Sequence, residues 1–175
     1  PRNVITRALG MRDNVDVATI SYDPNARPTL MGNPGAVIGR VEEIIALCDV
    51  IKSSDEDIEW LYPDRSVADV MRHWLNLGPA LAVVTRGGDG AYVAVSTDDA
   101  IIEVEPRTVS VIDTVGAGDS FMAGLLSGLS SAGLIGSAEA RDRLHRSTIG
   151  DVTPPIQRGS RCGAISRSHA GAHAP

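Results

Sequence analysis

Residues 113–121 read Asp-Thr-Val-Gly-Ala-Gly-Asp-Ser-Phe. Gly116 and Gly118 carry no side chain, so a ligand could approach the backbone closely there. Apolar residues at 121, 122, 125, 126 and 129 follow at helical spacing. The loop therefore opens a helix, and the first-turn N–H groups of a helix have no helical acceptor. Those donors and the positive end of the helix dipole converge on one anion site. A phosphoryl group in motion would be stabilised there, and losing one such donor costs about 3–4 kcal/mol in the transition state. Asp119 stands at the start of the same helix. A carboxylate repels a bound phosphate, so binding alone would not place one here. It suits a base that removes a proton from an attacking hydroxyl, worth about 10²–10⁴ in rate. The alternative is a glycine-rich turn in which Asp119 is only a first-turn acid, worth ~0.3–1 kcal/mol.

Other phosphate-binding motifs fit less well. Gly116-Ala-Gly118 begins a dinucleotide fingerprint, but Phe121 occupies the third glycine position and no strand ending in an acid follows about 20 residues on. A dinucleotide-binding oxidoreductase is thus a distant alternative. The chain has no GxxxxGK[ST] P-loop and no HRD or DFG kinase motif.

Alternating strands and helices must position this loop. Strands are expected at 17–22, 49–52, 80–85, 91–95, 100–105 and 108–112. The continuous apolar run at 80–85 predicts a strand buried on both faces. Helices are expected at 35–48, with apolar residues at 37, 38, 41, 44, 45 and 48, and at 66–77, with Val67, Val70, Met71, Trp74 and Leu75 on one face. Ser53 and Ser54 offer an N-cap for an acid-rich helix start. A helix begins near Asp119, and its Gly124 and Gly128 fall on one side, allowing close backbone packing. Residues 139–149 are compatible with a helix. Pro154, Pro155 and Gly159 should break any long helix over 150–175, because proline costs ~3 kcal/mol inside one. The pattern predicts an α/β layered fold with a mainly parallel sheet.

The 113–121 segment resembles the C-terminal signature of the ribokinase/PfkB family of carbohydrate kinases. The resemblance implies a layered α/β/α ribokinase-like fold and ATP-dependent phosphorylation of a small sugar. It assigns Asp119 as the catalytic base and the amides at Gly116, Ala117 and Gly118 as the anion hole. Residues 23–27, Asp-Pro-Asn-Ala-Arg, are similar to the D-x-N-x-R segment of fructokinase-like members, which implies that Asn25 and Arg27 face the sugar. Residues 52–57 resemble K-x-[NS]-x-x-E. That likeness implies nucleotide contacts from Lys52 and Ser54 and a water-mediated Mg²⁺ contact from Asp57, here one methylene shorter than the usual Glu. Residues 85–90 resemble the T-x-G-x-x-G turn, placing Thr85, Gly87 and Gly90 at the ATP phosphates. A monovalent cation and, at full length, a homodimer are further features the family allows. Residues 156–175 are similar to the closing helix beside the adenine pocket. With Pro154, Pro155, Gly159 and Gly163 in it, that wall is expected to be altered or unfolded. The expected division is a kinase portion over 1–150 and an altered terminal helix with a loose tail over 151–175.

Composition excludes several other roles. Net charge is −6 without a long basic run, so neither nucleic acid nor an anionic membrane is an expected partner. Aromatics are only 3%, so the core must be aliphatic. No apolar stretch approaches the ~20 residues of a membrane span, and no signal peptide is visible. Cys48 and Cys162 form no CxxC pair and read as buried thiols in a reducing, cytoplasmic compartment. His73, His145, His169 and His173 have no ligand spacing and read as surface residues. The start at Pro1 reads as mid-protein sequence, and the family's N-terminal strands, lid and Gly-Gly sugar motif have no counterpart here. A truncated or degenerate kinase, binding nucleotide without catalysis, is therefore the second expectation. Sheet edges left uncovered by missing strands would favour aggregation.

Overall fold

The computed structural model describes residues 19–106 and 112–168. Five strands form one sheet in the order β1 (Ser21–Tyr22), β2 (Val50–Ser54), β3 (Leu81–Thr85), β4 (Ala91–Val95) and β5 (Ile102–Val104). The pairs β1–β2 and β2–β3 are parallel, while β3–β4 and β4–β5 are antiparallel. Only β4 therefore runs against the others, which is the mainly parallel α/β sheet expected. The strand expected at 108–112 lies outside the described residues except for Ile112.

The helices are α1 (Pro28–Met31), α2 (Pro34–Ile45), α3 (Asp55–Leu61), α4 (Val67–Leu77), α5 (Ala117–Ser131), α6 (Ala138–Leu144) and α7 (Ile149–Arg167). Period-two alternation along the strands builds two cores. Val50, Leu81, Val83 and Val93 face Phe121, Leu125, Leu129, Val152 and Ile156 of α5 and α7. Ile51, Ala82, Val84 and Ala94 face Ile45, Ile58, Val70, Met71 and Trp74 on α2, α3 and α4. The result is a three-layer α/β/α arrangement whose centre is mostly aliphatic, with Phe121 buried in one core and Tyr62 and Trp74 in the other. No helix among the described residues is long and apolar enough to cross a membrane.

The terminal region departs from expectation. Pro154 and Pro155 sit inside α7, which runs unbroken from Ile149 to Arg167. The missing proline N–H groups fall in its first turns, where they free the carbonyls of the exposed residues Gly150 and Asp151 to water. Tertiary contact overrides the local cost. Val152, Pro155, Ile156, Gly159, Gly163 and Ala164 are buried, against α5. Gly124 and Gly128 face Cys162 and Pro155, while Gly159 and Gly163 face Phe121. The glycines that looked like breakers are the residues that let two helix backbones meet. Residues 169–175, expected to be loose, lie outside the described residues.

The titratable residues behind the core also differ from the surface placement expected of the histidines. Nε2 of His145 lies 2.8 Å from Oδ1 of the buried Asp49, and Arg141 Nε donates to the same oxygen at 2.7 Å. Asp49 Oδ2 accepts from the Ile20 N–H at 2.9 Å. Burial alone would raise the Asp49 carboxyl, but the His145, Ile20 and Arg141 hydrogen bonds outweigh it and hold the group below the usual aspartate range. His73 is likewise half-buried, 2.7 Å from Glu42 Oε1, which also accepts from the Tyr62 hydroxyl. His169 and His173 lie outside the described residues. Cys48 is buried, and burial, with the Asp49 charge beside it, pushes its thiol up to about 11. Cys162 is only partly buried.

Candidate active site

In open α/β sheets, ligands bind beyond the carboxyl ends of the parallel strands. Here β1 leads into the 23–27 loop, β2 ends at Ser54 and β3 ends at Thr85. The start of α5 joins them from the other core face. The sequence-derived candidates thus gather at one end of the sheet.

The loop before α5 has the geometry its composition predicts. Gly116 adopts φ 75°, a left-handed conformation that glycine takes without strain. Helix α5 begins at Ala117, two residues earlier than expected, so Asp119 lies in its first turn. No side chain among the described residues caps this helix. The other long helices α2 and α4 are capped by Asn33 and Ser66, and at α7 the Asp151 carboxylate accepts from the Thr148 N–H at 2.8 Å. The N–H groups of Gly118 and Asp119 have no acceptor among the described residues. The Asp119 side chain is exposed.

The 86–90 turn closes the β3–β4 hairpin, with Arg86 N–H donating to Gly90 O at 2.9 Å. Gly87 and Gly90 have φ 52° and 89°. A Cβ on Gly90 would stand 2.1 Å from the Val104 carbonyl oxygen, so no other residue fits. Arg86 stacks on Tyr92, 4.2 Å from the ring centre, and pairs with Glu103, which fixes the turn from outside.

A cleft of about 120 Å³ lies between this turn and the two long helices. Thr85, Gly87 and Gly90 line one side, and Ala117, Gly118 and Phe121 line the base. Ser160, Gly163, Ala164 and Arg167 of α7 form the third wall. Arg167 is the sole charged residue in that lining, and its buried Nε has no hydrogen-bond partner among the described residues. The resemblance set residues 156–175 beside the nucleotide but expected that wall to be altered or unfolded, whereas over the described residues it is one continuous helix. The signal for it was the Gly159/Gly163 pair, spaced to match Gly124/Gly128.

Lys52 reaches the same place from the sheet. Alternation puts it on the α5 face, beside Val83 in register. Its Nζ lies 3.0 Å from where a Gly118 Cβ would be, so the absent side chain leaves room for the ammonium. Asp23 Oδ2 accepts from Nζ at 2.7 Å.

Ser54 and Asp57 form a capping box at the start of α3. The Ser54 hydroxyl accepts from the Asp57 N–H at 3.1 Å, and Asp57 Oδ2 accepts from the Ser54 N–H at 3.3 Å. Asp57 Oδ1 accepts from the Ala26 N–H at 2.9 Å, tying the 23–27 loop to α3. Asn25 and Arg27 on that loop are exposed. Asn25 has φ 42°, the one positive value outside glycine among the described residues. Among those residues no group of three or more His, Cys, Asp and Glu could enclose a metal ion. Mg²⁺ commonly takes one or two carboxylates plus water and substrate phosphates, so the half-buried Asp57 fits it as an outer partner rather than as part of a cage.

Comparison with known proteins identifies the family. The profile of the pfkB family carbohydrate kinases matches residues 7–175. The chain belongs to the pfkB family. Among its pfkB relatives, a fructokinase from Rhizobium leguminosarum bv. trifolii is 39% identical over 116 residues, covering 66% of this chain and 35% of that protein. A fructokinase from Klebsiella pneumoniae is 30% identical, covering 87% of this chain and 46% of its own length. The crystal structure of a fructokinase double mutant from Vibrio cholerae O395, in a form bound to fructose, ADP and potassium, superposes with a TM-score of 0.70. It is 28% identical and covers 88% of this chain and 46% of that one. The chain thus spans less than half the length of these pfkB relatives, and its fold is ribokinase-like.

Proposed function

We propose that this chain carries the nucleotide and phosphoryl-transfer site of an ATP-dependent, fructokinase-like sugar kinase. The observation that carries it is the uncapped start of α5, where the free Gly118 and Asp119 N–H groups border the cleft and Asp119 stands exposed in the same turn. In a chain of net charge −6, that point collects Arg167, Lys52 and a helix N-terminus. Such a concentration of positive potential favours a polyphosphate.

Asp119 takes the proton of a sugar hydroxyl as that oxygen attacks the terminal phosphorus of ATP, and ADP leaves with the electrons of the broken P–O bond. The amides at Gly116, Gly118 and Asp119 hold the charge on the transferring group, and Ala117 joins them once its N–H leaves the Thr114 carbonyl to which it donates at 3.2 Å. Lys52 donates to the same group. Thr85, Gly87 and Gly90 line the phosphate side of the cleft, and Ser54 supports that side from β2. Asn25 and Arg27 face the sugar. Mg²⁺, when bound, offsets phosphate charge. Asp57 orients one of its waters. A monovalent cation beside the loop and a homodimer of the full-length protein belong to the same proposal.

Sugar-dependent ADP release by the full-length protein, with fructose as first substrate, tests this. Asp119→Asn should lower turnover by about 10²–10⁴ with the circular dichroism spectrum unchanged. Equal turnover in that variant rejects Asp119 as the base.

A second reading keeps nucleotide binding and drops catalysis. It is motivated by the share of the relatives that this chain spans, at most 46% of those above. Calorimetry with ATP and Mg²⁺ on the 175-residue chain separates the two. Binding without sugar phosphorylation supports the second, and phosphorylation removes it.

A further inference from the structure

The Lys52 side chain is 5% exposed, yet the only hydrogen-bond partner of its Nζ among the described residues is Asp23. An ammonium has three donors. Two are thus without an acceptor among the described residues, beside the Gly118 and Asp119 N–H groups, which have none there either. Burying unpaired donors is costly, and a positive charge next to a positive helix end adds to the cost. A ligand oxygen on the Gly118 side would satisfy both.

Asp23 is the counter-charge. Its Oδ2 accepts from Lys52, and its Oδ1 accepts from the Asn25 N–H at 3.2 Å. One carboxylate therefore sets the ammonium over Gly118 and shapes the turn that presents Asn25. The carboxylate is anchored in turn, because the loop that bears it is tied to α3 through Ala26 and Asp57.

We propose that Asp23 is a positioning residue: it holds the Lys52 ammonium against Gly118, so that its two free donors take an oxygen of the phosphate bound at the start of α5. The proposal rests on the nucleotide site set out above. Asp23 does not touch the phosphate. Its effect on the phosphate runs through Lys52, separate from its bond to the Asn25 N–H.

Calorimetric titration of the 175-residue chain with inorganic triphosphate and with Mg²⁺–ATP tests it, at a temperature where circular dichroism shows each variant folded. Asp23→Asn should weaken both ligands about 10–100-fold, by analogy with the loss when a residue that orients a metal ligand is removed. Asp23→Ser keeps an acceptor for the Asn25 N–H while removing the charge, and should show the same loss. This second variant also covers the case in which Asp23→Asn does not fold. Lys52→Met should weaken binding at least as much, and adding Asp23→Asn to it should change nothing more. Wild-type affinity in the Asp23 variants, or additive losses in the double variant, would overturn the proposal while leaving the nucleotide site intact. No binding by the wild-type chain would remove the nucleotide site and this proposal together.

Discussion

Gly128 and Pro155 meet backbone to backbone: a Cβ on Gly128 would stand 2.6 Å from the Pro155 Cα. That contact lies toward the end of the α5–α7 interface away from the cleft, whose walls the two helices form at the other end. Alanine is favoured over glycine inside a helix by ~1 kcal/mol. The backbone of Pro155 cannot yield to the added methyl, so overpacking wins. Gly128→Ala is expected to lower stability by about 1–3 kcal/mol, read as a fall in the urea midpoint.

Pro154 gives the opposite expectation. It is exposed, whereas Pro155 is buried against Gly128. Pro154→Ala restores an N–H for the Gly150 carbonyl and gives up little packing. The helix should gain about 1–2 kcal/mol, less than the full ~3 kcal/mol because alanine also loosens the unfolded chain. An unchanged or lower melting temperature would contradict a continuous α7.

Asp49 sets an acid limit. Its pKa is lowered in the fold, so its contribution is fully present above the unfolded value near 4. That contribution is lost as pH falls through the lower folded value. Arg141 and His145 are partly exposed, which screens the interaction. Asp49→Asn should therefore cost on the order of 1–3 kcal/mol at neutral pH. The gap between variant and wild type should close below about pH 4. Urea melts across pH 2–7 would show a constant gap if Asp49 were not ionised in the fold.

Much of this arrangement is written locally. The run at 80–85 and the strand at 91–95 are continuous or near-continuous apolar stretches, and each formed where expected, at Leu81–Thr85 and Ala91–Val95. The loop at 113–118 was readable because glycine, acid and helix start coincide within a few residues. What escaped depends on residues far apart. Nothing near Pro154 or Gly159 says that Gly124, Gly128 and Phe121 wait on another helix to receive them. The Asp23–Lys52 pair spans 29 positions and requires β1 and β2 to be neighbours. Asp49 reads only as the first residue of the strand expected at 49–52 until α6 folds back to bring Arg141 and His145 to it.

The alternation that brings Lys52 to Gly118 also constrains how the sheet assembles. Val50 and Lys52 face α5, while Ile51 and Ser53 face the opposite layer. A one-residue slip of β2 would exchange the two sets. The ammonium would then enter the core of Ile45, Ile58 and Trp74, far from Asp23, and Ile51 would stand over the glycine loop. A mispaired sheet would bury a naked charge, so Lys52 also marks the correct strand register while the chain folds.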